Sequence, residues 1–392
     1  MRAALVHPHV LEDLGKFGMD ISAYTTHYGY EHRYAKLLNR HGHKADLIIF
    51  SRRQIEIKRL RHVWGHDIVI VPLGGPKILR HMMLIGRLAR ILREYDIVHC
   101  FSYYSNIYDV LVPVCFLLRI PLVAQAQGIY PSIGGTMYVR KLFTLRLADR
   151  LAPLTRYEAS FLTRRFRLDR SRTVIVPNFV VPEDYVFPDR EHARVALRLG
   201  ATDFVVLTVC RLVPEKGVQT LIRAASRLRD ISELKVMVVG DGPYKGALEG
   251  LVKDLGLDGV VRFDGWVHGR QIGLYYSAAD CFVLASVEES FGIVLLEALM
   301  YGLPVIASDT WGAREILGEK LPDFLFPVDD EVTLAEKIRR VYLDKEVRDV
   351  VGRMGREFVL ERFSPEHVYR RLMDVCSAVM GRNRDTRCVS HG

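Results

Sequence analysis

The chain has 392 residues, 49% of them apolar and 26% charged, and a formal net charge of +9, a profile of a soluble globular protein with room for two or three domains. Its longest apolar stretch, Val110 to Leu118, is broken by Pro113 and closed by Arg119, far short of a membrane span, and Met1-Arg2 leads directly into the short strand-like run Ala3–Val6, so neither a transmembrane segment nor a secretion signal is expected. Six scattered cysteines without a C-x-x-C spacing predict reduced, mostly buried thiols in a cytoplasmic protein, with no disulfide frame and no zinc site.

The first half alternates strand-like and helix-like segments. Ala3–Val6 reads as a strand and Tyr30–His41 as a helix ended by Gly42. Lys44–Phe50 and Asp67–Val71 follow as strands, and Lys77–Glu94 as an amphipathic helix. Asp96–Cys100 and Pro121–Gln125 are strands around an intervening helix, and Val174–Val176 closes the series. Such alternation predicts a parallel, doubly wound sheet.

The segment from Pro177 to Pro188 carries three prolines and reads as a linker. A second series then runs through strand Phe204–Val209, helix Gln219–Arg229, strand Lys235–Val239, helix Tyr244–Leu255, and strands Val260–Phe263 and Cys281–Leu284. Strand Pro304–Ala307 and helices Leu334–Leu343 and Pro365–Met380 complete it, and the polar tail 381–392 is expected to be disordered. Two α/β domains joined by one linker predict a cleft, with ligands outside the carboxyl ends of the strands.

Charge divides along the same line. Residues 1–180 hold 27 Lys and Arg against 13 acids, a balance of +14, whereas the remainder holds 28 against 33, or −5. The basic residues gather at Lys77–Arg93 and Gly134–Arg172, which predicts either docking on anionic lipid headgroups or ordinary amphipathic helices packed on their sheet. No recognised nucleic-acid motif accompanies the charge.

Three loops carry candidate chemistry. Arg211 and Lys216 stand five apart on the turn after the first strand of the second series, where a planar fork and a mobile point charge suit a diphosphate. The next turn, Gly240-Asp241-Gly242-Pro243, permits close backbone approach, although Lys245 stands where a dinucleotide fingerprint needs its third glycine. The third loop, from Glu288, sets Glu289 and Glu297 eight residues apart around an apolar segment that Ser290 is expected to cap as a helix stopping at Gly302. Fully helical, that spacing corresponds to about 12 Å, too far for a glycosidase pair at roughly 5–9.5 Å. It suits the two ends of one extended ligand, with phosphates at the helix N-terminus between them.

Glu289-x7-Glu297 with Ser290-Phe291-Gly292, Gly302-x-Pro304-Val305-Ile306, Gly312-x-x-Glu315, Arg211 with Lys216-Gly217, Gly240-Asp241-Gly242-Pro243 and Phe263-x-Gly265 together resemble the signature of family 4 retaining glycosyltransferases. The resemblance covers essentially all of 200–380; in the first half it rests on rhythm, with Arg40-His41-Gly42-His43, Asp96-Ile97-Val98-His99 and Val176-Pro177-Asn178. It implies an α/β protein of the GT-B fold, two Rossmann-like parallel-sheet domains facing across a cleft. The acceptor domain would span 1–182, with the helix of about 365–380 packing back on it, and the donor domain 183–364.

By the same resemblance Arg211 and Lys216 would hold the donor diphosphate, and Glu289 would contact the donor sugar beside the backbone N–H groups of Phe291, Gly292 and Ile293. Glu297 would bind the ribose, Gly240 would line the nucleotide, and Val267 would meet the base. The implied reaction is hexosyl transfer with retention from a nucleotide sugar, a UDP- or GDP-sugar, to a lipid, lipid-linked or saccharide hydroxyl. A donor phosphate oxygen would serve as base. No cofactor or metal is implied, and no D-x-D triplet occurs in the chain. The protein is expected in the cytoplasm, either free there or peripheral on the inner face of the membrane.

Departures fall on the acceptor side. Gln127-Gly128 stands where the family often has His-Gly, Phe179 replaces a glycine after Pro177-Asn178, and the glycine pair before the first long helix is represented only by Gly15, Gly18 and Gly29. Gln127 and His99 are the acceptor-side candidates. His99 has a second reading, as a satisfied core residue, and the pairs His7/His9 and His41/His43 lack a third ligand and read as non-metal. A nucleotide-sugar epimerase of the same fold, or a nucleotide-sugar-binding protein without catalysis, are the alternatives.

Overall fold

The computed structural model describes residues 1–14, 24–26, 29–75, 80–126, 134–267 and 269–388. The chain forms two compact units, Met1–Pro177 with Pro365–Gly392, and Asn178–Ser364. The division falls at Pro177/Asn178, within the proline-rich linker but ahead of the 182/183 boundary expected from sequence.

The first unit is built on a sheet of β1 (Arg2–Val10), β2 (Lys44–Ser51), β3 (Lys58–Arg61), β4 (Asp67–Pro72), β5 (Ile97–Cys100), β6 (Leu122–Ala124) and β7 (Arg150–Leu151). Their order is β3-β4-β2-β1-β5-β6-β7. The sheet is mixed rather than wholly parallel, because β3 runs antiparallel to β4. Its sequence Lys-Arg-Leu-Arg hides it from an apolar pattern: three of its four residues are exposed, and Arg61 reaches Asp67 at 2.6 Å. Charge of this kind keeps an edge strand from pairing with another molecule. The central β2 is buried from Ala45 to Ser51, as a strand covered on both faces must be. Val174–Val176 is no strand. It runs extended, with Val174 N–H bonded to the Leu151 carbonyl and Val176 N–H to that of Pro153, and Thr173 makes an isolated bridge to Leu151.

The terminal helix Pro365–Cys388 belongs to this unit. It buries Val368, Leu372, Val375, Cys376 and Val379, an i, i+4, i+7, i+8, i+11 stripe. Tyr369 stacks on His41 at 3.6 Å and its hydroxyl lies 2.9 Å from His43 Nε2, which gives that histidine pair a packing role. The helix continues to Cys388 through residues expected to form a disordered tail. With the preceding turns anchored, the Arg-rich run from Arg382 adds residues at little propensity cost. Residues 389–392 lie outside the described residues, as does Lys77 at the head of the expected amphipathic helix, which is described over Arg80–Leu92.

The second unit holds β8 (Phe204–Val209), β9 (Leu234–Val239), β10 (Val261–Gly265), β11 (Cys281–Leu284), β12 (Val305–Ser308) and β13 (Leu325–Phe326). All are parallel, in the order β10-β9-β8-β11-β12-β13. That is the doubly wound order with its switch point between β8 and β11, the place where such sheets open a crevice for ligands. Helix Val218–Ser226 follows β8 and buries Val218, Leu221, Ile222 and Ala225 at helical spacing. Short helices Arg190–Ala196, Ile272–Ala278 and Trp311–Leu317 and the long Lys345–Arg362 escaped the sequence reading. The first three are too short for a periodic pattern.

Candidate active site

The chain leaves β8 through Cys210–Val213 into a single tight turn, Pro214–Lys216, and Gly217 then starts helix Val218–Ser226. Gly217 has φ +65°, and a Cβ there would overlap the Ala285 carbonyl oxygen, so the loop after β8 touches the loop after β11 through main chain alone. The Val287 N–H bonds to the Glu215 carbonyl at 2.8 Å and reinforces that contact.

On the other side, Gly240 adopts φ +134° directly against the Cys210 carbonyl, with its N–H on the Gly265 carbonyl at 2.7 Å. Leu212 N–H bonds to the Asp241 carbonyl at 2.9 Å. The loops after β10, β9, β8 and β11 therefore form one continuous rim at the carboxyl ends of the strands. Val267 sits half-buried on it, two residues past Gly265.

Lys216 and Glu289 meet on this rim, Nζ to Oε2 at 2.7 Å, with side chains 22% and 13% exposed. Ser286 adds a longer contact to the same carboxylate oxygen at 3.5 Å. Arg211 is exposed on the same loop as Lys216. The main chain of Glu289 is held in turn, its carbonyl accepting from Gly312 N–H at 2.9 Å.

The helix of this stretch is shorter than expected, Ile293–Met300. Its N-cap is Gly292 at φ +87°, without a side-chain cap, whereas Ser290 had been expected to play that part. Glycine takes the left-handed turn that Ser290, two residues earlier, is not placed to make. Glu289 thus lies in a loop, and the helical estimate of its separation from Glu297 does not apply. Phe291 is buried, its ring edge-on to Phe363 at 5.9 Å, while the opening N–H groups of the helix at Ile293 and Val294 have no intrahelical acceptor by geometry.

Glu297 carries partners that sequence reasoning missed. Its Oε1 accepts from the Tyr185 hydroxyl at 2.5 Å and its Oε2 from the Tyr276 hydroxyl at 3.0 Å. Tyr276 is fully buried, stacked on Tyr301 at 5.0 Å, and burial followed by the Glu297 charge pushes its hydroxyl far above the usual phenol range. Tyr301 donates to the Val186 carbonyl at 2.7 Å and so pins the linker segment that bears Tyr185. The partners that two half-buried acids require are thus supplied inside the chain: a lysine for one, two tyrosines for the other.

In the first unit, His99 is buried on β5. Its Nε2 lies 2.9 Å from Gln125 Oε1, and Gln125 donates onward to the Val176 carbonyl at 2.8 Å. Burial, opposed by that bond, lowers its pKa to about 4, so the ring is neutral at neutral pH. Gln127, Gly15 and Gly18 lie outside the described residues, and Gly29 caps helix Tyr30–Arg40. The five described cysteines are free, four of them buried.

Comparison with known proteins agrees with this architecture. The family described as glycosyl transferases group 1 matches residues 189–358, and glycosyltransferase family 4 matches residues 30–184. An uncharacterized glycosyltransferase of Methanocaldococcus jannaschii is 23% identical over 88% of this chain and 92% of its own length. The D-inositol 3-phosphate glycosyltransferase of Saccharomonospora viridis is 33% identical over 69% of this chain and 64% of its own. Among solved structures, Anabaena HepE, determined in complex with UDP and also with UDP-glucose, superposes with a TM-score of 0.78 at 18% identity, covering 96% of this chain and 100% of that one. With two doubly wound α/β units and family matches across both, this chain belongs to the group 1, family 4 glycosyltransferases and has their GT-B fold.

Proposed function

We propose that this glycosyltransferase takes a hexosyl group from a nucleoside-diphosphate sugar and passes it, with retention at the anomeric carbon, to a hydroxyl acceptor. The observation that carries the reading is the contact of Lys216 with Glu289 at the switch point of the second sheet, ringed by main-chain turns at Gly217 and Gly240. A diphosphate entering there meets the Lys216 ammonium and the Arg211 guanidinium, which offset the charge on the departing nucleotide. Glu289 faces the sugar and is held by Lys216 until the phosphates share that cation. Glu297, aimed by Tyr185 and Tyr276, would accept from the ribose hydroxyls. The acceptor proton passes to a donor phosphate oxygen, so the step needs neither a protein base nor a metal. HepE, with UDP and UDP-glucose, supports the choice of donor class.

For the acceptor, a lipid-linked or lipid hydroxyl accords with the basic first unit. Helix Gly135–Leu147 exposes Val139, Phe143 and Leu147, at 51%, 66% and 45%, beside Arg140 and Arg146, a stripe suited to an anionic bilayer surface. Among the described residues no helix is long and apolar enough to cross a membrane.

The test is a thermal-shift panel of UDP-, GDP- and ADP-sugars in the presence of EDTA, followed by nucleotide release with and without candidate acceptors. A donor should raise the melting temperature with concentration, and release should depend on acceptor, which an epimerase does not need. A panel with no shift at millimolar ligand would sink the donor assignment. Salt-sensitive binding to anionic vesicles, lost in Phe143→Ser, tests the surface reading.

A further inference from the structure

We propose that the first unit carries a structural transition-metal site, selective for a zinc-like divalent cation, formed by His32, His62 and His66. The three imidazoles are 0%, 2% and 1% exposed. One ligand-capable nitrogen from each lies within 4.8 Å of the others. His32 stands in the first turn of helix Tyr30–Arg40, and His62 and His66 flank the turn that joins β3 to β4. That turn is closed by His62 N–H on the His66 carbonyl and Gly65 N–H on the His62 carbonyl, each at 2.9 Å, with Gly65 at φ +81°. The main chain therefore holds the pair His62-x3-His66 in a fixed geometry, a spacing common among zinc ligands.

Several features fit a cation. The closest nitrogens, His32 Nδ1 and His66 Nε2, are 2.8 Å apart. Zinc bound at about 2.0–2.1 Å to each of two tetrahedral ligands sets those ligands about 3.4 Å apart. The observed pair is slightly closer than this and the 4.8 Å limit slightly wider, so sub-ångström to ångström adjustments and tilting of the stacked rings bring three lone pairs to one point. The rings His32–His62 and His62–His66 stack at 4.2 and 4.4 Å, and coordination would tilt them out of this parallel arrangement. An all-imidazole set favours zinc, copper, nickel or iron over magnesium or calcium, which need oxygen ligands.

An ion here would tie the first turn of helix Tyr30–Arg40 to the edge hairpin of the sheet. The three histidines belong to the first unit and Lys216 and Glu289 to the second, and the ion takes no part in the transfer step. Trp64 provides an optical reporter, its ring edge-on to His62 at 5.2 Å.

The experiment uses full-length protein free of any polyhistidine tag, stripped with a chelator and titrated with Zn2+ against a chromophoric competitor. Co2+ absorption and Trp64 emission are the second readouts. One equivalent per chain is expected, with a rise in melting temperature. His66→Ala and His62→Gln should each lose binding at least tenfold, while His192→Ala, at an exposed position, keeps it. Less than a tenth of an equivalent in the wild type overturns the proposal, whatever the variants do. So does undiminished binding in folded His66→Ala or His62→Gln, which would place the metal on other groups such as the cysteines. Should both variants fail to fold, the wild-type Co2+ spectrum decides: nitrogen ligation supports the site, and thiolate charge-transfer bands or no spectrum overturn it.

Discussion

Replacing Lys216 by alanine separates a structural ion pair from a catalytic one. The pair is neither surface nor core, with side chains 22% and 13% exposed and 2.7 Å between charged atoms. Exposed pairs contribute about 0.2–1 kcal/mol, and breaking a buried one costs about 3–5 kcal/mol. Truncation at this depth should therefore cost about 1–3 kcal/mol, chiefly because Glu289 is left without its cation. In a domain of this size that lowers the melting temperature by roughly 3–10 °C.

The catalytic loss should be larger than stability alone explains. Removing one preorganised charge from a leaving group typically slows a reaction by about 10²–10³. Initial rates of nucleotide release, measured well below the melting temperature, give that figure. Glu289→Ala should lose transfer as well. The double variant Lys216→Ala/Glu289→Ala should be less destabilised than the sum of the singles, since each residue accounts for part of the other's cost. If Lys216→Ala, with a normal circular dichroism spectrum, transfers within fivefold of the wild type, the cation is not in the site and the assignment fails.

Three further outcomes are expected. Glu158 is buried, its Oε1 2.5 Å from the Tyr103 hydroxyl, and burial outweighs hydrogen bonds from Tyr103 and Leu154 N–H to push its carboxyl up to about 8 from an ordinary 4.5. A raised acid supports the fold most below the ordinary value and loses that support as pH climbs through 8, so melting temperature should fall between pH 5 and 9 and fall less in Glu158→Gln; parallel slopes would refute this. Gly240→Ala should cost at least about 2 kcal/mol and abolish nucleotide binding, because its φ of +134° and the adjoining Cys210 carbonyl exclude a Cβ; Gly246→Ala, in a helix and facing open space, should instead gain about 0.5–1 kcal/mol by denaturant melts. Tyr185→Phe should raise the donor KM several-fold at nearly constant kcat, as expected of a residue that aims Glu297; calorimetry showing unchanged nucleotide diphosphate affinity would remove that role.

Much of the second unit is legible from its residues, and the reason is local. Apolar runs such as Phe204–Val209 coincide with the observed strand, and glycine turns such as Gly240-Asp241-Gly242 mark strand ends because few other residues adopt those angles. What escapes is set by distant pairing. Tyr185 and Tyr276 reach Glu297 across 112 and 21 residues, and no periodicity announces them. His32 stands thirty residues before His62, so the histidine trio emerges only when the helix and the hairpin turn are packed together. The strand β3 fails an apolar criterion because it is an edge, where charge is the structural requirement. Ser290 misleads for the opposite reason: it is a good cap by type, but Gly292 takes the position.

The rim of the second unit touches itself through backbone, Gly217 on the Ala285 carbonyl and Gly240 on that of Cys210, with few side chains interposed. Its contour is therefore insulated from most side-chain replacement. Residues projecting from it, such as Val267, could be exchanged to suit another base without remodelling the scaffold. Directed libraries confined to those projecting positions should yield folded catalysts at high frequency, whereas libraries that include the two glycines should be dominated by inactive chains.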